Sequence, residues 1–335
     1  LVPVRHERWP TPDDDLLDVY RLDAPEGAPR LLFLHGLEGG LRSHYVAGTF
    51  ARAHRLGWSV ALLVFRSCGS EPNRARRFYH SGETEDLGLV VDRLIAERPH
   101  DSLLLAGVSL GGNVLLKWLG ERGDAVPPQV AAAAAVSVPF DLARGARHIG
   151  RGFGRVYERH FLRSLRRKAE EKLSRYPDLC AREPVLAART LWEFDDTLTA
   201  PVHGFAGAAD YYARSSSLAF LDAVRVPTLL LSAEDDPFLP PAVLDEVRRI
   251  AGGNRWLHPE FVRRGGHVGF VGGRVPWRPD WYAERRIVEF LASRLPPAPR
   301  LALSGSDADA GGGVALGGSV RKFSGPPPQP GGDDR

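Results

Sequence analysis

Five residues, Gly107-Val108-Ser109-Leu110-Gly111, carry the sharpest chemical signal in the chain. The pattern G-x-S-x-G presents a nucleophilic serine only where a strand turns sharply into a helix. Here the apolar run 102–108 precedes it and a helical stretch, 112–120, follows. Such a turn crowds the backbone, so side chains at Gly107 or Gly111 would clash. It also leaves the N–H of Leu110 free to face negative charge growing on a substrate oxygen. The chemistry that suits these features is acyl transfer through a serine.

A hydroxyl is a poor nucleophile until a positioned base takes its proton. In the chain order Ser, acid, His, that base lies late in the sequence. His267 sits in the glycine-rich stretch Arg263-Arg264-Gly265-Gly266-His267-Val268-Gly269-Phe270 after an expected strand, and no other of the eleven histidines combines that position with those flanks. An acid should hold the imidazole tautomer and stabilise the imidazolium. Glu234-Asp235-Asp236, after the apolar run ending at Leu231, supplies it; Asp235 and Asp236 are the candidates, the other serving as a loop cap. The second oxyanion donor is expected from His35-Gly36-Leu37-Glu38-Gly39-Gly40, with Gly36 letting the backbone turn so that the N–H of Leu37 faces the same point as that of Leu110. His35 itself reads as a structural hydrogen-bonding group.

The elements that must position these residues are legible as a rhythm. Leu16–Leu22 alternates as a half-buried strand, and Leu31–Leu34, Ser59–Phe65, Ser102–Val108 and Gln129–Val138 read as buried strands. Helices are expected over 43–56, 83–98 and 112–120. Strand and helix alternating at these intervals give a parallel sheet with right-handed crossovers. The alternation stops from Pro139 to about Val224 and resumes with a strand at 226–231, a helix near 241–250, a strand near 256–262 and a helix over 281–295. The expected organisation is an α/β core domain (1–138 and 225–295), a helical cap insertion (139–224), and a Gly/Pro-rich disordered tail (296–335).

Composition sets bounds on this reading. The chain has 335 residues, 43% hydrophobic and 25% charged, which is ordinary globular material. Its two cysteines, Cys68 and Cys180, are too few for a disulfide scaffold. Net charge is only +3, and of 44 basic residues only Lys117, Lys168, Lys172 and Lys322 are lysine. That arginine bias fits GC-rich coding better than nucleic-acid binding, which needs clustered basic residues. No apolar run reaches about 18 residues and the start lacks a hydrophobic signal core, so the chain as given reads as soluble and cytoplasmic. No metal spacing such as H-E-x-x-H occurs, and neither metal nor cofactor is expected. In the insertion Arg147, Arg151, Arg155, Arg159, Arg163 and Arg167 recur every four residues. A solvated arginine face is the favoured reading over contact with anionic lipid, and glycines 150, 152 and 154 argue against one continuous helix there.

These residues sit within a wider set of stretches. They include Phe65-Arg66-Ser67-Cys68, Glu71-Pro72-Asn73-Arg74, Tyr79-His80-Ser81-Gly82-Glu83-Thr84-Glu85-Asp86 and, in the insertion, Phe194-Asp195, His203-Gly204-Phe205 and Asp210-Tyr211-Tyr212. With His35–Gly39, Gly107–Asn113, Asp235–Phe238 and Gly265–Phe270, the chain resembles the YheT branch of the α/β-hydrolases, the ABHD1-2-3-like group, from about residue 10 to 295. The resemblance implies an α/β-hydrolase fold and carboxylester hydrolysis, with lipid or acylglycerol esters as a substrate class. Many hydrolases of that fold carry G-x-x-D-x-x-x-P, which aligns Ala233 with the glycine and favours Asp236 as the acid. Ser67 departs from the family's usual glycine, and the Gly69-Ser70 order is inverted. Ser81 and Glu85 fit capping of the helix that follows them. The expected partner is a small-molecule ester, with no nucleic acid. Acyl transfer by the same triad, and a non-catalytic binding protein of this fold, are the alternatives.

Overall fold

The computed structural model describes residues 3–273 and 279–296. In chain order the first half comprises β1 (Arg5–Pro10), β2 (Leu16–Leu22), β3 (Arg30–Leu34), α1 (His44–Arg55), β4 (Ser59–Val64), α2 (Glu85–Glu97), β5 (Leu103–Val108), α3 (Leu110–Arg122) and β6 (Val130–Val136). A helical stretch follows: α4 (Leu142–Ile149), α5 (Gly154–Arg175), α6 (Arg182–Ala187), α7 (Leu191–Phe194), a π-helical turn over Asp195–Thr199, α8 (Ala200–Val202), α9 (Ala208–Ser215) and a 3-10 stretch over Ser217–Ala223. The chain then forms β7 (Thr228–Ala233), α10 (Pro241–Gly253), β8 (Leu257–Val262), the two-residue β9 (Val271–Gly272) and β10 (Asp280–Trp281), and α11 (Tyr282–Ala292).

The main sheet has the order β1-β2-β4-β3-β5-β6-β7-β8. From β4 to β8 neighbouring strands run parallel, and β2 joins β4, and β1 joins β2, antiparallel. The unbroken apolar runs became the inner strands because helices cover both faces of them. Leu87, Val90 and Leu94 of α2, Val114, Leu115 and Trp118 of α3, and Val243 and Val247 of α10 pack on one face. Val46 and Phe50 of α1, with Ile287, Val288 and Leu291 of α11, pack on the other. The 139–224 segment has an apolar cluster of its own, centred on Leu162, Leu173, Val185, Phe194 and Leu198.

Three local features bear on the expectations from sequence. β1 escapes pattern reading because Arg5-His6-Glu7-Arg8 has no apolar alternation; it is an edge strand held by His6 and Arg8 on Asp18 and kept from further pairing by its charges. The glycines at 150, 152 and 154 do interrupt the helix as expected: α4 ends at Ile149, Gly152 takes φ +50°, and α5 starts afresh at Gly154 and runs to Arg175. Glu85 stands in the first turn of α2, where its charge suits the helix dipole, but neither it nor Ser81 caps the helix. Glu83 Oε1 does so, accepting from the N–H groups of Glu85 (2.9 Å) and Asp86 (3.4 Å). The expected tail lies outside the described residues from 297 onward. Among the described residues, no helix is long and apolar enough to cross a membrane.

Candidate functional site

β5 gives way to α3 within one residue. Ser109 takes φ +53° and ψ −120°, a left-handed conformation costly for any side chain except at a site that needs it. The flanking glycines are required by contact. A Cβ on Gly107 would collide with the backbone carbonyl of Gly111, and one on Gly111 would lie 2.5 Å from the carbonyl oxygen of His35. Parallel strands place their carboxyl ends at one edge, and four of them feed this site. Leu37 follows β3, Ser109 follows β5, Asp236 follows β7 and His267 follows β8.

Those loops converge. Ser109 Oγ is 2.8 Å from His267 Nε2, and His267 Nδ1 is 2.8 Å from Asp236 Oδ2. Asp236 is buried, and its other oxygen accepts the N–H of Phe238 at 2.8 Å. The ring of Phe238 lies 4.1 Å from the imidazole, centroid to centroid. Asp235 points elsewhere: its Oδ1 accepts from Gly265 N (2.8 Å) and Gly266 N (2.9 Å), tying down the loop that carries His267. The two neighbouring carboxylates thus divide the tasks, one on the imidazole and one on its loop.

The turn after β3 differs from expectation in one respect. Its left-handed residue is Glu38 (φ +56°), not Gly36. Gly36 matters for close approach, since a Cβ there would sit 3.3 Å from Ser109 Cβ and 3.4 Å from the Tyr45 hydroxyl. The N–H groups on either side of Leu37 are engaged, Gly36 N on Tyr45 OH (3.0 Å) and Glu38 N on Tyr79 OH (3.1 Å). Leu37 N–H and Leu110 N–H have no acceptor among the described residues, and both residues line the same cavity as Ser109 and His267. His35 is structural: Nδ1–H donates to Gly36 O (2.7 Å) while Nε2 accepts from Phe65 N (3.1 Å). Burial holds its pKa down at about 4, so the ring is neutral.

Two groups of contacts at this site go unannounced in the sequence, although Glu38 and Asn113 stand in stretches that carry the resemblance. The Glu38 carboxylate accepts from Tyr79 OH (2.8 Å), Lys168 Nζ (2.7 Å) and the Ser164 hydroxyl, which fastens α5 to the turn beside Leu37. Asn113, one turn into α3, donates to Ser81 O and Ser215 O, both at 2.8 Å, and accepts from Ser217 N. Four of these six hydrogen bonds join residues more than 100 positions apart, which no local pattern announces. Above Ser109 lies a cavity of about 150 Å³, walled by Leu142, Ile149, Phe161, Leu165 and Leu198. Asp195 also lines it; Thr199 and Tyr212 hydroxyls each donate to it at 2.6 Å, and burial pushes its pKa up to about 6.

Several stretches behind the resemblance belong to a buried polar network rather than to this cavity. Arg66, with its side chain fully enclosed, pairs with Asp86 (2.7 Å), Asp15 (2.8 Å) and Asp13 (2.9 Å). Burial alone would raise the Asp15 carboxyl, but hydrogen bonds from Asn73 and the N–H groups of Arg74, Leu16 and Ala75 outweigh it and hold the pKa at about 2. Ser67 adopts a positive φ (+62°), and its hydroxyl donates to Asn73 Oδ1 at 2.6 Å. Among the described residues, no three His, Cys, Asp or Glu side chains are grouped to hold a metal ion.

Comparison with known proteins accords with this geometry. The family model described as alpha/beta hydrolase fold matches residues 29–272. YheT of Escherichia coli (strain K12), provisionally named an esterase, is 38% identical over 294 residues, covering 86% of this chain and 85% of that protein. A monoacylglycerol lipase of Saccharomyces cerevisiae is 29% identical across 84% of this chain, which spans 62% of that relative's length. Among solved structures, an esterase from Pyrococcus furiosus superposes with a TM-score of 0.57 at 16% identity, covering 87% of this chain and 91% of that one. By sequence, sheet order and strand-to-helix serine turn, the chain belongs to the α/β-hydrolase-fold family.

Proposed function

We propose that the protein is a serine carboxylesterase. The observation that carries this reading is the hydrogen-bonded row Ser109 Oγ, His267 and Asp236 Oδ2, at 2.8 Å per link, beside two unengaged N–H groups. Ser109 Oγ attacks the ester carbonyl carbon as its proton passes to His267 Nε2. The carbonyl electron pair moves onto oxygen, where the N–H groups of Leu37 and Leu110 hold the charge. The C–O bond to the alcohol then breaks, and His267 returns the proton to the departing oxygen. Water repeats the sequence on the acyl-Ser109 ester, releasing the acid and restoring the serine. Asp236 keeps the imidazole in the tautomer with its proton on Nδ1.

The 139–224 segment acts as a cap that selects the acyl group. An apolar cavity of about 150 Å³ takes a guest of roughly benzene size, about six carbons. Nitrophenyl esters near hexanoate should therefore turn over best, and the names of the relatives point to lipid esters as the natural class.

Labelling by a fluorophosphonate probe tests the reading. Wild type should label, and Ser109→Ala should not. Asp236→Asn should lower kcat by about 10⁴-fold, as for a wrong imidazole tautomer, with Asp235→Asn falling much less. Undiminished labelling of Ser109→Ala overturns the mechanism, and activity that survives Asp236→Asn but not Asp235→Asn moves the acid by one residue.

A further inference from the structure

The outer face of α5 is built unlike the rest of the surface. Of the large hydrophobic side chains exposed among the described residues, three of six fall within five positions: Phe153 (69% exposed), Val156 (56%) and Tyr157 (41%). Isolated exposed apolar residues are ordinary, but a cluster marks a contact surface. Arg151, Arg155, Arg159 and Arg163 are exposed on the same stretch, and none forms an ion pair among the described residues. Elsewhere among the described residues some arginines are paired, such as Arg144 with Asp141 and Glu246 and Arg286 with Glu260, and others, such as Arg42 and Arg249, are not; what sets this stretch apart is that four unpaired arginines flank an exposed apolar cluster.

Two further features adjoin this face. A surface groove of about 390 Å³ beside α5 is lined by Arg155, Arg159, Arg166 and Arg189, with Glu158 and Thr190. The Glu158 carboxylate there accepts the N–H of Leu191 at 3.0 Å, and Arg166 Nε is buried without an acceptor among the described residues. The groove thus offers donors to an anion. Aromatic contacts also link the exposed patch to the catalytic edge: Phe153 to Tyr157 at 5.6 Å, Tyr157 to Phe238 at 5.1 Å, and Phe238 to His267 at 4.1 Å.

We propose that residues 151–163, with the adjoining arginine groove, form a docking surface for anionic lipid. Phe153 and Val156 enter the acyl boundary, Arg151 and Arg163 lie against the headgroups, and the Arg155–Arg159–Arg166–Arg189 groove takes a lipid phosphate. Unpaired cations flanking exposed apolar side chains are what an anionic interface binds, whereas a neutral protein partner would leave these charges uncompensated. Docking there holds the mouth beside Phe238 against the layer that would supply an ester lipid. The surface does not depend on the nucleophile, so its test separates from that of the esterase reading.

The full chain carrying Ser109→Ala is sedimented with vesicles of phosphatidylcholine, or of phosphatidylcholine mixed with phosphatidylglycerol. Binding should appear with the mixed vesicles only and fall with added salt. Each arginine near an anionic surface contributes about fivefold in affinity, so Arg151→Glu/Arg155→Glu/Arg159→Glu should lose at least a hundredfold. Phe153→Ser/Val156→Ser should lose tenfold or more. In the Ser109 background both variants should keep wild-type turnover of a soluble nitrophenyl ester, which shows that they fold. Equal binding to both vesicle types, or variants that bind as wild type, overturns the proposal. So does complete competition by inorganic phosphate, which would make the groove a free-anion site, or loss of a dimer on Phe153→Ser/Val156→Ser, which would make the patch a self-contact.

Discussion

Lys168→Met should slow the chemical step although Lys168 touches none of the triad. Its ammonium sits 2.7 Å from Glu38 Oε1, with the two side chains only 18% and 9% exposed. An exposed pair contributes about 0–1 kcal/mol, and breaking a fully buried one costs about 3–5. This pair lies between those cases, and Glu38 keeps the hydroxyls of Tyr79 and Ser164, so a stability loss of about 2 kcal/mol is expected. The kinetic effect follows from position. Glu38 is the left-handed residue next to Leu37, so its anchoring fixes where the Leu37 N–H points. Complete loss of one oxyanion donor costs about 10²–10³ in kcat; a loosened one should cost about 10- to 100-fold, with KM nearly unchanged. Glu38→Gln should act similarly, because its amide N–H₂ then faces the ammonium. The double variant should be less impaired than the product of the singles, since it removes that clash. The assay is kcat and KM on nitrophenyl hexanoate, with urea unfolding run alongside. Lys168 also lines the cavity, so a changed KM with kcat within twofold of wild type would reduce it to a wall residue and refute the anchoring argument.

Further outcomes follow from particular contacts. Gly111→Ala puts a Cβ 2.5 Å from one backbone carbonyl oxygen and 2.6 Å from another; neither can retreat as a side chain would, so thermal unfolding should show a loss of about 1–3 kcal/mol or more. Phe238→Ala removes the ring tilted against His267 and opens the cavity wall, so the nitrophenyl ester series should shift toward longer chains; an unchanged optimum would show that Phe238 does not set chain length. Stability should fall as pH drops from about 6.5 toward 4. Burial lowers the pKa of His35 and His203 to about 4, and of His80 well below 6.5, so in that window the unfolded chain binds protons that the folded chain does not. Each such proton contributes a slope of about 1.4 kcal/mol per pH unit. Asp195, raised to about 6, works in the opposite sense between 3.8 and 6 and offsets one of them. Urea midpoints that stay level from pH 7 to pH 5 would contradict this.

What the sequence made legible, and what it hid, divides by the range of the interaction. Buried strands announce themselves because each is a short apolar run with helices on both faces, and the G-x-S-x-G turn because its glycines answer to contacts within one strand-loop-helix unit. Asp236 and Asp235 were harder to separate: both are carboxylates at the end of β7, and only the return of the 265–267 loop onto them assigns one to the imidazole and the other to Gly265 and Gly266 N–H. Glu38 and Asn113 stand in stretches that carry the resemblance, but their contacts are hidden, as is that of Lys168, because Glu38–Lys168 and Asn113–Ser215 join residues more than 100 positions apart. β1 is hidden for another reason, since an edge strand protected by charge looks like a loop to any hydrophobic pattern. The stretches that carried the resemblance show the limit most clearly. Arg66, Asn73, Glu83 and Asp86 form a residue signature, yet in space Arg66 ties Asp86 to Asp15, Asn73 donates to Asp15, and Glu83 joins through Arg77, which also pairs with Asp13. A signature of this kind marks what must stay fixed for the segment over the serine to sit correctly. The groups proposed to act on an ester are fewer, and they lie where four strands end.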